Sequence, residues 1–219
     1  MTATAQTLDL EAARHAMVAS QLRTSGVNDA RVVAAMARVE RENFLPESQR
    51  AFAYRDRPLP LGDNRYQNAP LATGLLLTEA GIRPGDSVLV VGAAGGYTAA
   101  LVAQLATRVV AVETDASLAS SARAALGDSI EVVEAPLAQG APGSGPYDVL
   151  VIDGAVEALP DALVEQVKPG GRIVAGIADR GVTRLASGIR TDAGFGLSTF
   201  ADSECALLPG FERPRGFQF

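Results

Sequence analysis

The sequence predicts an α/β fold with a doubly wound, mostly parallel sheet, an N-terminal helical cover and a C-terminal antiparallel hairpin. Short apolar runs, typical of strands buried on both faces, alternate with segments of helical apolar spacing. A glycine-rich turn joins one such strand to a helix. An acidic residue ends the next strand about 20 positions later, a spacing typical of nucleotide-type cofactor sites.

The first part of the chain is predicted to be helical. Thr7 is the expected N-cap of a first helix that ends at Gly26. Asn28 is the expected N-cap of a second helix, and Pro46 terminates the segment. We therefore expect a helical cover over the sheet within residues 1–50.

The stretch 53–70 contains three prolines and one glycine, and it shows neither helical nor strand periodicity. Such a long irregular segment is uncommon in a compact domain unless it is functional, so it is the candidate substrate loop. Its arginines are Arg55, Arg57 and Arg65. They could grip a substrate carboxylate, but Asp56 and Asp63 lie among them, and local pairing is the favoured account for at least two of the three.

The organising unit of the sequence is one strand, turn, helix and strand. An apolar strand at 88–91 leads into the turn 92–96, a helix follows at 97–107, and a second strand at 108–113 ends on Glu113. The expected cofactor-binding residues of the turn are Gly92, Ala93, Ala94, Gly95 and Gly96. Glu113 is expected to bind a ribose hydroxyl. The alternative is that Glu113 is a solvent-exposed residue at the end of its strand with no binding role.

Further elements complete the predicted sheet. They are a helix at 117–126, strands at 130–133, 147–152 and 172–177, a helix from Pro160 through 167, a stop at 168–171, and hairpin strands at 182–189 and 195–201. No segment resembles a linker, so we expect one domain over 1–219, with a cofactor-binding core at 86–177 and the hairpin and tail at 181–219.

Four predicted strands end at one edge of this sheet. Gly92, Glu113, Ala135 and Asp153 follow or close them, and ligands bind at such an edge where the strand order reverses. Asp153 has two alternatives of equal weight. It could face the reacting end of a ligand, or it could cap the local backbone before Gly154.

Composition excludes several function classes. A net charge of −6 and a pI near 4.9 argue against nucleic acid or an anionic membrane as partner. One cysteine, Cys205, and one histidine, His15, argue against a disulfide framework, a metal centre or a histidine triad. Residues 87–107 carry no charge, but their glycines favour strand, turn and helix over a membrane span. The N-terminus lacks signal-peptide features, so the expected location is the cytoplasm.

Four segments resemble a known family, the protein-L-isoaspartate O-methyltransferases. They are MVASQLRTSGVND at 17–29, VERENFLP at 39–46, AYRDRPLPLG at 53–62 and VLVVGAAGGYTAA at 88–100. The resemblance implies a Rossmann-like class I methyltransferase fold that uses S-adenosylmethionine. The implied reaction is methylation of a carboxylate of isoaspartyl residues in damaged proteins or peptides.

The chain departs from the family's pattern at four places. Asn68 stands where the family has a serine associated with catalysis, Val90 replaces an acid, and Ala94 replaces the middle glycine of the turn. A glycine–aspartate–glycine run aligns with Ala135, Pro136 and Leu137. By this alignment Ala135 and Pro136 join the cofactor-binding residues.

The candidate catalytic residues are Asn68 and Tyr66, which would face the acceptor, together with the strand-end carboxylate of Asp153. The four departures also motivate an alternative, a catalytically degenerate relative that serves as a binding or regulatory module. A nicotinamide-dependent oxidoreductase is a weaker alternative, because the chain has no tyrosine–lysine pair four residues apart and no histidine placed for hydride chemistry.

Overall fold

A computed structural model describes residues 9–213, and a seven-stranded sheet lies at its centre. The strands are β1 Leu59–Gly62, β2 Arg65–Gln67, β3 Ser87–Val91, β4 Arg108–Glu113, β5 Glu131–Glu134, β6 Tyr147–Val156, β7 Val167–Asp179, β8 Val182–Ile189 and β9 Ser198–Asp202. The sheet order is β5-β4-β3-β6-β7-β8-β9, parallel from β5 to β7 and antiparallel from β7 to β9. The predicted mostly parallel sheet with antiparallel C-terminal strands is confirmed.

The helices flank this sheet. They are α1 Leu10–Ala16, α2 Ala30–Arg38, α3 Glu47–Arg50, α4 Pro70–Ala80, α5 Tyr97–Ala103, α6 Ala116–Leu126 and α7 Asp161–Val164, and the π-helical segment Met17–Leu22 continues α1. Asp9 is the N-cap of α1, and the expected cap Thr7 lies outside the described residues. Asp29, not the expected Asn28, caps α2, because its carboxylate reaches two backbone N–H groups of the first turn.

Strand β3 is buried on both faces, as its apolar run predicted. Val88 and Val90 pack into the core cluster that contains the N-terminal helices, α4 and α5. Leu89 and Val91 pack into the cluster on the opposite face. This alternation places β3 in the middle layer of the molecule, with its carboxyl end at the predicted ligand edge.

The uncharged stretch 87–107 contains β3, the glycine turn and α5, as predicted, but α5 ends at Ala103 and not at the expected residue 107. None of the helices within residues 9–213 has the length and apolar character needed to cross a bilayer.

The stretch 53–70 is not entirely irregular, which corrects the sequence interpretation. It contains the antiparallel hairpin β1–β2, with Asp63 and Asn64 at positive φ in its turn. The inward-facing residues of β2 are Arg65 and Gln67, both buried. Because these residues are polar, the strand has no alternating apolar pattern that sequence analysis could detect.

Two later boundaries also differ from the predictions. Strand β6 continues to Val156, and its pairing with β7 is irregular between Val151 and Ala155, so Asp153 lies within the strand and not beyond its tip. The expected stop at 168–171 lies inside β7, where a second register shift absorbs the extra residues. Helix α7 is correspondingly shorter than the expected helix that ran through 167.

Candidate functional site

The strand order reverses between β3 and β6. From β3 the chain proceeds outward to β4 and β5, and then returns to form β6 on the other side of β3. Ligands of doubly wound sheets bind in the crevice at such a point, outside the carboxyl ends of the strands. Gly92 follows β3, Glu113 ends β4, and Asp153 lies near the end of β6.

The glycine turn 92–96 lies at the end of β3, and all its residues are buried. Gly92, Ala94 and Gly96 adopt left-handed backbone conformations, with φ of 84°, 50° and 102°. For Ala94 this left-handed conformation costs about 1–2 kcal/mol, because its Cβ atom crowds the backbone. The Ala94 amide donates to Glu113 Oε2 over 2.7 Å, which holds the turn against the tip of β4.

Glu113 is completely buried and forms an ion pair with Arg65. Arg65 Nη2 lies 2.6 Å from Oε2, and Nε lies 3.2 Å from Oε1. The backbone amides of Ala94, Thr114 and Asp115 also donate to this carboxylate, which makes five N–H donors. Arg65 Nη1 is buried without a hydrogen-bond partner among residues 9–213. The carboxylate predicted to bind a ribose is therefore occupied by a guanidinium of the same chain.

A segment near the C-terminus crosses the end of β6. Residues 205–211, here called the C-terminal strap, form a single parallel β-bridge with Ala155. The Ala155 amide donates to the Ala206 carbonyl over 2.7 Å, and the Leu208 amide donates to the Ala155 carbonyl over 2.9 Å. The Ala206 amide donates to Asn68 Oδ1 over 3.0 Å. The strap is thus attached both to the sheet and to the candidate substrate loop.

Leu208 of the strap lies on the crevice between β3 and β6, and its side chain is only 6% exposed. A methyl group placed on Gly92 would lie 2.9 Å from both Leu208 Cδ atoms. A methyl group placed on Gly154 would lie 2.7 Å from Leu208 Cγ. An apolar side chain therefore covers the ends of both strands at which the sheet order reverses.

Asp153 is buried and accepts hydrogen bonds from three side chains. Thr98 Oγ1 lies 2.5 Å from Oδ2, while Thr73 Oγ1 and Asn68 Nδ2 lie 3.1 Å and 3.3 Å from Oδ1. Burial raises the pKa of Asp153 above its ordinary value, and these hydrogen bonds oppose the increase. Its partners lie on α4, α5 and the 53–70 stretch, so Asp153 connects these elements to β6.

This arrangement predicts a pH effect on stability. Because the pKa of Asp153 is raised in the folded state, the folded state binds more protons than the unfolded state above the ordinary aspartate range. The free energy of unfolding of the wild type is expected to fall, relative to that of Asp153→Asn, as pH rises from about 4. Urea unfolding of both proteins from acid to neutral pH measures this difference. Asp192→Asn, at an exposed position, should instead give a curve parallel to the wild type, and parallel curves for Asp153→Asn would contradict the assignment.

Arg41 supports the candidate loop from inside the protein. It is fully buried, and its Nε and Nη2 donate to the carbonyls of Ala53 and Asn68 over 2.8 Å and 2.6 Å. Its guanidinium carbon lies 4.9 Å from the centre of the Tyr97 ring. Burial lowers the pKa of Arg41 and raises the pKa of Tyr97 to about 12. Arg41 thereby fixes the backbone that carries Asn68.

Some of the predicted site residues meet at the crevice, and the others lie away from it. The glycine turn, Glu113, Asn68 and Asp153 meet around the crevice. Tyr66 is 36% exposed, on the outward face of the hairpin. Ala135 is half-buried and donates its amide to the Glu113 carbonyl over 3.1 Å, whereas Pro136 is exposed. The binding or catalytic roles of all these predicted site residues remain predictions.

The expected local pairing of the loop arginines is wrong. Within residues 9–213, no ion pair joins Arg55, Arg57 or Arg65 to Asp56 or Asp63. Arg55 lies over the Phe52 ring at 4.6 Å, and Arg65 pairs with Glu113. Sequence reasoning did not identify this pair or the role of Leu208. The tail has no periodicity or motif that indicates where it packs.

Comparisons with known proteins place these features in context. The family model described as protein-L-isoaspartate(D-aspartate) O-methyltransferase matches residues 13–196. A protein-L-isoaspartate O-methyltransferase of Methanoculleus marisnigri is 39% identical over 171 residues, covering 76% of this chain and 78% of the relative. A protein of the same name from Methylorubrum populi is 40% identical over 167 residues, covering 75% and 79%.

Two solved structures share the fold. One protein-L-isoaspartate O-methyltransferase superposes with a TM-score of 0.77 at 23% identity, covering 90% of this chain and 66% of that chain. A Plasmodium falciparum beta-aspartate methyltransferase, solved in complex with S-adenosyl-L-homocysteine, superposes with a TM-score of 0.75 at 17% identity, covering 89% and 97%. At these identities the superpositions support the fold alone.

Proposed function

The chain belongs to the protein-L-isoaspartate(D-aspartate) O-methyltransferase family, and on that premise we propose that it is a methyltransferase of this type. Its donor is S-adenosylmethionine, and its acceptor is a carboxylate of isoaspartyl residues in proteins or peptides. The observation that carries the proposal is the family match over residues 13–196, which includes the crevice, the glycine turn and the loop of Asn68. The peptide acceptor and a cytoplasmic location are part of the proposal.

The proposed acceptor makes modest chemical demands. A carboxylate is ionised at neutral pH, so its methylation needs no general base. Catalysis then depends on holding the acceptor oxygen in line with the donor and on excluding water. Asn68 lies beside the crevice on a backbone that Arg41 fixes, which is a suitable position for an amide that orients a carboxylate.

The donor does not fit the crevice in this conformation of the chain. The Glu113 carboxylate already accepts five N–H donors and has no exposed surface for a ribose hydroxyl. Leu208 covers Gly92 and Gly154, and both polar ends of the Asn68 amide are engaged, by Ala206 and Asp153. The proposed activity therefore requires a second arrangement of these residues.

These contacts favour one alternative function. A relative that keeps the fold as a binding or regulatory module needs no donor, so it could keep the ion pair of Arg65 with Glu113 and the packing of Leu208 permanently. The two functions differ in whether methyl groups are transferred.

The deciding experiment measures transfer of a labelled methyl group from S-adenosylmethionine to a peptide that contains one isoaspartyl residue. The matched control is the same peptide with an ordinary aspartyl residue. Transfer to the isoaspartyl peptide is expected to exceed transfer to the control by about two orders of magnitude, because positioning alone supplies rate factors of that size or more. Equal, background-level labelling of both peptides would overturn the proposal and favour the binding module.

A further inference from the structure

The Glu113 carboxylate has more donors than acceptor positions. Its two oxygens offer about four lone-pair positions, and five N–H groups donate to them. Three of these donors are backbone amides of the glycine turn and of the two residues after β4, so the fold itself places them. The other two belong to Arg65, which directs one N–H to each oxygen. Without Arg65, about one acceptor position of Glu113 would be unfilled.

The Arg65 guanidinium depends on this one carboxylate. Both of its hydrogen bonds go to Glu113, and Nη1 is buried without a partner in the part of the chain that the structure describes. The Arg65 side chain is 3% exposed, so the ion pair excludes water and other donors from the carboxylate. A ligand that donates hydroxyl groups to Glu113 would therefore compete with Arg65 for the same oxygens.

We infer that Arg65 takes the place of the donor's ribose in the crevice, so that S-adenosylmethionine binds only when this guanidinium withdraws from Glu113. The inference rests on the proposed function, which supplies the donor. A ribose presents two neighbouring hydroxyl donors, and Arg65 presents the two neighbouring donors Nε–H and Nη2–H to the same carboxylate. Arg65 is in this respect an internal substitute for the ribose hydroxyls.

The position of Arg65 permits this withdrawal. Arg65 is the first residue of β2, next to the turn of a two-stranded hairpin that is separate from the central sheet. The turn end of the hairpin can therefore shift without breaking a ladder of the central sheet. The chain after β2 is held, because Arg41 donates to the Asn68 carbonyl. Movement confined to the turn end would release Glu113 and leave Asn68 in place.

This competition has a quantitative signature. The apparent affinity for a ligand is the intrinsic affinity multiplied by the fraction of molecules in the binding-competent state. Arg65→Gln keeps a neutral polar side chain but loses the charge and the two-pronged contact, so Glu113 becomes available to the ligand. We expect this variant to lower the Kd for S-adenosylhomocysteine by about tenfold or more. Arg57→Gln is the matched control, because it removes the same charge from an exposed arginine of the same stretch.

The first measurement is calorimetric titration of the wild type, Arg65→Gln and Arg57→Gln with S-adenosylhomocysteine, with thermal unfolding curves to verify that each protein is folded. Tighter binding is expected for Arg65→Gln, and equal binding for the other two. If Arg65→Gln and the wild type bind with the same Kd, or if neither binds, Arg65 does not limit binding and the inference is overturned.

The second measurement removes the hydroxyl groups from the ligand. A 2′,3′-dideoxy analogue of S-adenosylhomocysteine has no ribose hydroxyl to place on Glu113, so it gains nothing from the oxygens that Arg65→Gln makes available. The ratio of the wild-type Kd to the Arg65→Gln Kd is expected to be about ten for S-adenosylhomocysteine and about one for the analogue. The same ratio for both ligands would show that Arg65 does not act in place of the ribose hydroxyls.

The third measurement observes Arg65 itself by nuclear magnetic resonance of protein with isotope-labelled arginine. The Nε–H signal of Arg65 is identified by its loss in Arg65→Gln. A buried, ion-paired N–H exchanges slowly with water, and saturating S-adenosylhomocysteine is expected to increase its exchange rate by about tenfold or more. An unchanged rate at saturation would mean that the ion pair persists beside the bound ligand, which contradicts the inference.

These measurements do not depend on methyl transfer. A protein that shows the effects of Arg65 on binding but leaves isoaspartyl peptides unmethylated would retain the competition and lose the proposed activity. A protein that methylates these peptides while Arg65→Gln binds like the wild type would retain the activity and lose the competition.

Discussion

Replacing Arg65 by alanine is expected to lower the free energy of unfolding by about 3–5 kcal/mol, because it leaves the Glu113 carboxylate buried without its counter-charge. Glu113 has no exposed surface, and three backbone amides are the donors that would remain. Urea unfolding monitored by circular dichroism measures the loss.

Two further variants make this result specific. Arg57→Ala removes an exposed arginine from the same stretch, and its effect should stay within about 0.5 kcal/mol. Arg65→Lys keeps the charge but loses the two-pronged contact, so its stability should lie between those of the wild type and Arg65→Ala. A loss of less than about 1 kcal/mol for Arg65→Ala would show that the ion pair is not formed in solution.

Replacing Arg41 by alanine should be about as damaging, with a loss of roughly 3–5 kcal/mol. The side chain is fully buried, and its removal leaves the carbonyls of Ala53 and Asn68 without their donors and opens a cavity beside Tyr97. The same unfolding measurement applies.

Arg41→Met separates the two contributions. Methionine restores much of the volume but donates no hydrogen bond, so the loss it still causes reports the two unpaired carbonyls. Arg38→Ala, at an exposed position of α2, should change stability by no more than about 0.5 kcal/mol. If Arg41→Ala behaved like Arg38→Ala, Arg41 would not hold the backbone at Ala53 and Asn68 in solution.

These two arginines explain how a proline-rich stretch is held in one conformation. Tyr54 and Leu59 of the 53–70 stretch are buried in the core, but the inward-facing residues of β2 are the polar Arg65 and Gln67. Buried guanidinium groups also hold the stretch, Arg41 through backbone carbonyls and Arg65 through Glu113. The loop expected to recognise a substrate is thus fixed to the crevice by charge and hydrogen bonding.

Much of the fold could be predicted from the sequence, since apolar period and turn residues are local signals. The strand, glycine turn, helix and acid-ended strand at 88–113 lie where they were expected. The segments for which the prediction was wrong are polar or glycine-rich. The β1–β2 hairpin was missed because the buried residues of β2 are polar, and the continuation of β7 through 168–171 was missed because a bulge absorbs its glycines.

By itself the sequence determined the fold class, the family resemblance and the edge of the sheet at which a ligand would bind, because each depends on spacing within short segments. Only the tertiary structure decided what occupies that edge. Arg65 meets Glu113 from 48 positions away, and Ala206 meets Asn68 from 138 positions away. Contacts between such distant residues depend on how the hairpin and the strap pack against the folded sheet, and no local periodicity encodes that packing.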